Sequence, residues 1–212
     1  MNYRKEIEQF VPGCEQEEAD RDLILELCDQ YGDDILNRTT RVAHMTASSM
    51  IFNKERTKVL MAYHNIYDSW AWTGGHSDGE PDALVTALKE AEEETGISNL
   101  KMLKQGAAAI DILEVKNHVK RGKFVSPHLH LNLAYVFEAD ENADIHICES
   151  ENSNVGWIRI DELEEKVSEK HMLPVYRKIV ERVTGYEKSN VDIFRYNVPD
   201  SNAYYGNKYC NI

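Results

Sequence analysis

Residues 74–97 read GGHSDGEPDALVTALKEAEEETGI, and this stretch decides the fold of the 212-residue chain. At about 100° per residue, the apolar side chains of residues 83–95 fall in one sector, which predicts a helix with one buried face. The side chains of that face are Leu84, Ala87, Leu88, Ala91 and Thr95. Gly96 follows, at the position where a glycine commonly ends a helix. The stretch therefore predicts a glycine-containing loop that leads into an amphipathic helix.

Three glutamates of the predicted helix share one side. Glu90, Glu93 and Glu94 are spaced i, i+3 and i+4, whereas Glu92 points elsewhere and is expected in solvent. A run such as EAEEET is usually a solvated helix face, yet like charges at this spacing repel by about 0.2–0.5 kcal/mol per pair. A hard divalent cation, Mg²⁺ or Mn²⁺, would remove that repulsion because it takes oxygen ligands. Lys89 lies four residues before Glu93 and is well placed to orient that carboxylate.

The glycine pair and the glutamates together resemble the signature of the Nudix hydrolase family, G-x5-E-x7-R-E-U-x-E-E-x-G-U, in which U is a bulky aliphatic residue. The matching residues are Gly75, Glu90, Glu93, Glu94, Gly96 and Ile97. Pro81 departs from the signature at its first glutamate, Lys89 at its arginine and Ala91 at its bulky aliphatic residue. The first departure is expected to change how the loop is braced, and the second removes a bidentate contact that only arginine makes. No carboxylate that would hold a metal is lost.

The resemblance implies an α/β (α+β) fold, with a mixed β-sheet sandwiched between helices. It also implies an enzyme that uses Mg²⁺ or Mn²⁺ to cleave a pyrophosphate bond in a small diphosphate substrate, usually a nucleoside diphosphate derivative. By position, Glu93 and Glu94 would be metal ligands, and the Gly74 carbonyl a further ligand. Glu90 would be a ligand or the base that activates water, with Lys89 beside it. Bound metal ions neutralise a pyrophosphate and lower the pKa of the attacking water.

Groups outside the helix are candidates for contact with the substrate. Lys120 and Arg121 belong to a basic loop, residues 116–123, which is either a solvated turn or a clamp for phosphate groups. His128 and His130 are two residues apart on a predicted strand and share a face, so they either contact substrate or metal or are satisfied near the core. The group is completed by Gly75 and His76.

Two points of the chemistry stay open in the sequence. The base can come from a loop outside the signature, and Glu149 and Glu151 are the candidates for it. The same fold also supports an isomerase of a diphosphate ester, which would need an added acid/base pair such as a cysteine and a glutamate. A Nudix-like module that senses a nucleotide without cleaving it is the other alternative, although such modules commonly lose the carboxylates that are retained here.

The rest of the chain is organised around this stretch. Residues 1–41 predict an N-terminal helical appendage, 42–183 the Nudix hydrolase domain and 184–212 a tyrosine-rich C-terminal tail. Helices are predicted at 3–11, 16–31, 161–167 and 172–183, a hairpin at 47–53 and 58–64, a loop at 65–82, and strands at 106–115 and 125–138. The appendage and the tail are candidates for covering the site or for contacts in a homodimer.

Composition limits the partners. The chain has 24 Lys+Arg and 37 Asp+Glu, a formal net charge of −13, which disfavours binding to bulk nucleic acid and to an anionic membrane surface. No apolar run approaches the ~20 residues of a membrane span, and the charged start does not resemble a secretory signal. Four cysteines without metal-like spacing indicate reduced thiols, so a cytoplasmic protein is expected. Residues 74–97 alone carry a net charge of −6, which suits the recruitment of cations.

Overall fold

Strand β1, Ala43–Phe52, is the centre of the structure, a computed structural model that describes residues 2–65, 68–120, 122–148 and 152–185. The other strands are β2 Lys58–His64, β3 Ser69–Ala71, β4 Thr73–His76, β5 Lys101–Met102, β6 Ala109–Val115, β7 His118–Lys120, β8 Lys123–Val125, β9 His128–Glu138 and β10 Asn152–Arg159. The α-helices are α1 Tyr3–Gln9, α2 Glu15–Tyr31, α3 Ala83–Thr95, α4 Leu163–Lys166 and α5 Leu173–Thr184. Two 3-10 turns lie at Gly32–Leu36 and Ile160–Glu162. The predicted tail lies outside the described residues from residue 186 onwards.

One mixed sheet holds eight of the described strands. Its main path has the order β10-β2-β1-β9-β5, with β3 beside β2, β4 beside β1 and β6 beside β9. β1 runs parallel to β9, so that His44 lies opposite His130, and the other pairs are antiparallel. β4 pairs with the first half of β1, where Thr46 lies opposite His76. The glycine-rich stretch therefore lies one strand away from β9.

Helices cover both faces of this sheet. Strand residues alternate between faces, and Met45 of β1 shares an apolar cluster with Ile7 of α1 and Ala87 of α3. On the opposite face, Met50 of β1 packs in a second cluster with Tyr176 of α5. The prediction of a mixed sheet between helices is confirmed.

Helix α3 has the predicted bounds, residues 83–95. The Asp82 side chain accepts a hydrogen bond from the Leu84 N–H at 3.1 Å, which satisfies one of the N–H groups that a helix start leaves without a partner. Gly96 ends the helix in the left-handed region at φ 78°, where a side chain would be strained. Both ends are thus set by residues next to the helix in the chain.

The loop predicted at residues 65–82 is wrong in part, because β3 and β4 lie within it. Gly74 and Gly75 have low strand propensity, and the pairing of β4 with β1 imposes the extended conformation. The basic loop at residues 116–123 likewise contains the β7–β8 hairpin. Strand β10 was not predicted either. Each of these elements depends on pairing with a partner strand, which the local pattern does not contain.

The N-terminal helices pack into the body of the protein. Ile7 and Ile24 belong to the same buried cluster as the sheet. Glu6 is also buried, and its two oxygens accept hydrogen bonds from the Ala107 N–H and the Tyr135 hydroxyl, both at 2.8 Å. Burial and this carboxylate raise the pKa of Tyr135 well above its ordinary value. The boundaries of the predicted domains stay a prediction. In the described parts of the chain, no helix has the length and apolar character needed to cross a membrane.

Candidate active site

Glu90 lies directly against Gly75. A Cβ atom built on Gly75 would be 2.4 Å from the Glu90 carboxyl carbon and 2.6 and 2.7 Å from its oxygens. Atoms do not approach that closely, so any other residue at this position of β4 would displace the carboxylate. The Glu90 carboxylate can therefore rest on the strand because position 75 is glycine.

Glu94, near the end of α3, is buried and has an N–H donor on each oxygen. Its Oε1 accepts from the backbone N–H of Gly74 and its Oε2 from the side-chain amide of Asn152, both at 2.9 Å. The N–H and C=O of one strand residue point to the same side, so the Gly74 carbonyl also faces α3. Asn152 Oδ1 is buried without a hydrogen-bond partner among the described residues. The sequence analysis missed Asn152, which lies 58 residues from Glu94 and reaches it through β10.

Glu93 is the exposed member of the group. Its side chain is 55% exposed, and the ammonium of Lys89 lies 3.5 Å from it and 3.7 Å from Glu90. Lys89 is thus beside the carboxylates, as the spacing suggested, but its side chain is 61% exposed and such pairs contribute little stability. Glu92 is exposed on another side of the helix, as predicted.

The atoms at this site that could bind a cation are all oxygens. The carboxylates of Glu90, Glu93 and Glu94 come from one helix face, and the carbonyl of Gly74 comes from the adjacent strand. Carboxylate and carbonyl oxygens are the ligands that Mg²⁺ and Mn²⁺ prefer. The residues present therefore fit the cation that the sequence predicts.

The predicted histidines lie together elsewhere. The rings of His76 and His130 are 4.9 Å apart, and that of His128 is 5.1 Å from His130. His44, which the sequence analysis missed, is about 5 Å from all three of these rings. Burial, followed by the neighbouring imidazoles, lowers the pKa of His130 to about 2, and burial also lowers the pKa of His44. The cluster therefore consists of buried and half-buried rings of which at least His130 is neutral at pH 7.

The remaining predicted residues are not brought to the site by the described structure. Lys120 ends strand β7 in the β7–β8 hairpin. Arg121, Glu149 and Glu151 lie outside the described residues. Their roles as phosphate clamp and base stay predictions.

A comparison with protein families identifies the domain that these elements form. The family model described as the NUDIX domain matches residues 43–182. The chain belongs to the Nudix family. The Nudix domain therefore runs from β1 to α5 and contains the α3 carboxylates, their glycine pair and the histidine cluster.

Solved structures of other Nudix proteins share this fold. The Ap4A hydrolase of C. elegans, solved as a binary complex, is 18% identical with a TM-score of 0.51, over 67% of this chain and 98% of that one. The dihydroneopterin triphosphate pyrophosphohydrolase of E. coli is 16% identical with a TM-score of 0.50, over 66% of this chain and 95% of that one. At these identities the likeness shows the Nudix fold alone.

A shorter likeness exists to a curated hydrolase. The CMP-5'-(N-acetyl-N-hydroxy-3-aminopropyl)phosphonate hydrolase of Streptomyces rubellomurinus is 43% identical over 54 residues, which are 24% of this chain and 26% of that protein. The match thus spans about a quarter of the relative's length.

The loop before α3 departs from the Nudix signature at Pro81. Residues that precede the Nudix domain in the chain hold this loop in place. The Pro81 carbonyl accepts a hydrogen bond from the Tyr3 N–H at 2.8 Å. The Arg38 guanidinium donates two hydrogen bonds to Asp78, at 2.7 and 2.5 Å. Tyr3 and Arg38 thus hold the loop near residue 81, where the Nudix signature has its first glutamate.

Proposed function

We propose that the protein is a Mg²⁺- or Mn²⁺-dependent hydrolase that cleaves the pyrophosphate bond of a small nucleoside diphosphate-linked, or related diphosphate, substrate. The observation that carries this proposal is the position of Glu90 and Glu94 against the backbone of Gly75 and Gly74, with Glu93 beside them on the same side of α3. Membership of the Nudix family supports it, as does the CMP-linked substrate in the name of the curated relative.

Different residues are proposed to bind the cation and to activate the attacking water. Glu93, Glu94 and the Gly74 carbonyl would hold the cation, and hydrogen bonds from the Gly74 N–H and Asn152 keep the Glu94 carboxylate oriented. A bound Mg²⁺ or Mn²⁺ supplies neutralisation of the pyrophosphate and a lower pKa for the attacking water. Glu90, fixed against Gly75, is either a further ligand or the base that accepts the proton of that water.

Other residues are proposed to support the carboxylates or to contact the substrate. The exposed ammonium of Lys89 orients Glu93. Of the residues predicted to contact the substrate, Gly75, Lys120 and Arg121 are proposed to do so beside the carboxylates, whereas His76, His128 and His130 lie on the face of the sheet that points away from α3. Glu149 and Glu151 are the proposed alternatives for the base. We also propose a cytoplasmic location, which the free thiols of Cys14 and Cys28 support, and a homodimer is the proposed assembly.

The activity is tested with a panel of nucleoside diphosphate-linked and other diphosphate compounds. We expect release of phosphate or nucleoside monophosphate from at least one compound with Mg²⁺ or Mn²⁺, and none after chelation. Tight binding without turnover would instead favour the sensing module, and rearrangement of an isoprenoid diphosphate the isomerase. Absence of turnover across the panel would contradict the proposal.

Glu93→Gln separates this role from a structural one. Because Glu93 is exposed, the change should leave the fold intact while turnover falls by about 10²-fold or more through loss of a metal ligand. Glu92→Gln is the matched control, since it removes a neighbouring exposed charge from another side of α3. Equal rates for the two variants under limiting Mg²⁺ would exclude Glu93 as a ligand.

A further inference from the structure

Four histidines from three adjacent strands meet on one face of the sheet. His44 lies on β1, His76 on β4, and His128 and His130 on β9. One ring nitrogen from each of His44, His76 and His130 lies within 4.8 Å of the other two. Neutral imidazole is the commonest protein ligand for zinc and related transition metals, whereas Mg²⁺ prefers oxygen.

His44 has the orientation of a metal ligand. Its Nδ1 lies 3.2 Å from the carbonyl oxygen of Thr40, and because a carbonyl only accepts, this contact places the ring proton on Nδ1. Nε2 then carries the lone pair, and it is buried without a hydrogen-bond partner among the described residues. An unsatisfied buried acceptor is unfavourable, and a bound cation would satisfy it. Metal-bound histidines almost always donate their second N–H to such a carbonyl or to a carboxylate.

His128 repeats this arrangement. Its Nδ1 lies 2.9 Å from the Ser126 carbonyl oxygen, which again leaves Nε2 as the acceptor. That Nε2 accepts a hydrogen bond from the Nε2 of His130 at 3.3 Å, and an ion bound to both nitrogens would leave the proton of His130 on its Nδ1. Two nitrogens at about 2.0–2.1 Å from one tetrahedral Zn²⁺ lie about 3.3–3.4 Å apart, so this pair already has the spacing of two ligands of one ion.

A second unsatisfied atom lies beside the cluster. Asn132 is on the same face of β9 as His130, and its Oδ1 accepts hydrogen bonds from Thr46 and Ser48 at 3.0 and 2.8 Å. Its Nδ2 is buried without a partner among the residues described. Buried donors are normally paired, so this amide calls for a hydrogen-bond acceptor on the same face and does not itself bind a cation.

The cluster is separate from the α3 carboxylates. Ser49 of β1 donates a hydrogen bond to the Ala87 carbonyl of α3, so the even-numbered positions of β1, including His44, face away from this helix. In β4, Gly75 faces Glu90, so the next residue, His76, points to the opposite side. The two groups therefore lie on opposite faces of the sheet.

We propose that His44, His76 and His130, with His128 as the fourth ligand, form a second metal site for Zn²⁺ or a similar transition metal ion. The site does not depend on the hydrolase activity proposed above, because its ligands are nitrogens on the other face. For His44, His76 and His130, whose ligand nitrogens lie within 4.8 Å of one another, ligand spacing needs side-chain shifts of only about 1 Å, and His128 is already 3.3 Å from His130.

Metal content tests the site directly. The full chain, without a polyhistidine tag, is stripped with a chelator, dialysed against Zn²⁺ and analysed for bound metal. We expect about one equivalent of tightly held zinc, and the intense visible absorption of tetrahedral Co²⁺ on titration with that ion. The double variant Glu93→Gln/Glu94→Gln should keep this equivalent. Loss of zinc in that variant would place the metal at the carboxylates and overturn the proposal.

Histidine variants complete the test. His76→Ala changes a half-buried residue, and His130→Gln keeps a polar side chain of similar reach. Each should weaken zinc binding more than tenfold and abolish the rise in melting temperature that zinc causes in the wild type. His171→Ala, at an exposed histidine before α5, should behave as the wild type. With circular dichroism showing folded variants, wild-type zinc affinity in His76→Ala and His130→Gln would contradict the site.

Discussion

Buried acidic side chains occur in two clusters of this protein, and they have different partners in each. The first, which we call the buried ion network, consists of Glu17 on α2, Asp111 on β6, and Lys178 and Arg182 on α5. The guanidinium of Arg182 binds both oxygens of Glu17, at 2.6 and 2.8 Å, and Glu17 has no exposed side-chain surface. Lys178 lies 3.2 Å from Glu17 and 2.6 Å from Asp111. These charges join α2 to α5 beside the sheet.

The α3 carboxylates differ in what lies next to them. Glu94 is held by two neutral N–H donors, and Glu93 has the exposed Lys89 beside it. Neither contact pairs the carboxylate with a guanidinium, so the negative charge is oriented while it can still attract a cation. A buried carboxylate paired with an arginine has a structural role because removal of one partner is costly, whereas one oriented by amides suits metal binding. Substitutions in the two clusters should therefore change different properties.

The largest effect is expected from Glu17→Ala in the buried ion network. The change removes the fully buried carboxylate, so Arg182 loses its ion-pair partner while Lys178 keeps Asp111. Because Arg182 is partly exposed, the free energy of unfolding should fall by about 3 kcal/mol, the lower end of the range for a broken buried pair. Urea unfolding followed by circular dichroism measures this loss. Glu18→Ala, next to it and exposed, should change stability by no more than about 0.5 kcal/mol. Similar losses in the two variants would contradict the role given to the network.

Asn152→Ala, at the α3 carboxylates, should have a smaller effect than Glu17→Ala, and the property it changes should be metal binding. Without the Asn152 amide, Glu94 Oε2 loses a donor and the carboxylate is less well oriented. Because Asn152 acts through Glu94 as a positioning residue, we expect the Mg²⁺ concentration for half-maximal turnover to rise about 10- to 100-fold. Asn154→Ala, at an exposed position of β10, is the matched control. If kcat falls while the Mg²⁺ requirement stays constant, Asn152 does not act through the metal site.

The parts of the site that could be predicted are those encoded locally. Helix α3 follows from apolar periodicity, with Asp82 and Gly96 at its ends, and the shared face of Glu90, Glu93 and Glu94 follows from helical spacing. The shared face of His128 and His130 follows in the same way from strand alternation. Each of these depends on residues close in the chain, so one sequence was sufficient.

The parts that could not be predicted depend on strand register. Asn152 reaches Glu94 only because β10 joins the edge of β2, and His44 meets His130 only because β1 and β9 pair in parallel. Strand β4 is extended through its partner β1 and contains two glycines that disfavour a strand. The spacing of His128 and His130 was a signal for a shared site, but His44 on β1 is part of no local pattern that would mark it.

The smallest expected effect concerns the pH dependence of the buried ion network. Burial raises the pKa of Asp111 from 3.8 to about 6, against the attraction of Lys178, and the charges of Glu17 and Asp20 raise it further. Asp111 Oδ2 is buried without a partner among the described residues, which agrees with a costly charge. Between about pH 4 and pH 6 the folded protein therefore holds a proton that the unfolded chain has released. Its contribution to stability falls as the pH rises through this window.

Asp111→Asn removes this titration while its side-chain oxygen can still accept a hydrogen bond from Lys178. The difference in unfolding free energy between the wild type and Asp111→Asn should decrease by about 1–2 kcal/mol from pH 4 to pH 6, less than the full shift allows because Asp111 of the folded protein is only about half ionised at pH 6. Asp22→Asn, at an exposed aspartate of α2, should show a constant difference over the same range. A constant difference for Asp111→Asn as well would mean that Asp111 ionises near its ordinary pKa. In that case Lys178 would compensate fully for its burial, and Asp111 would resemble Glu17, whose pKa is lowered by Arg182 despite burial.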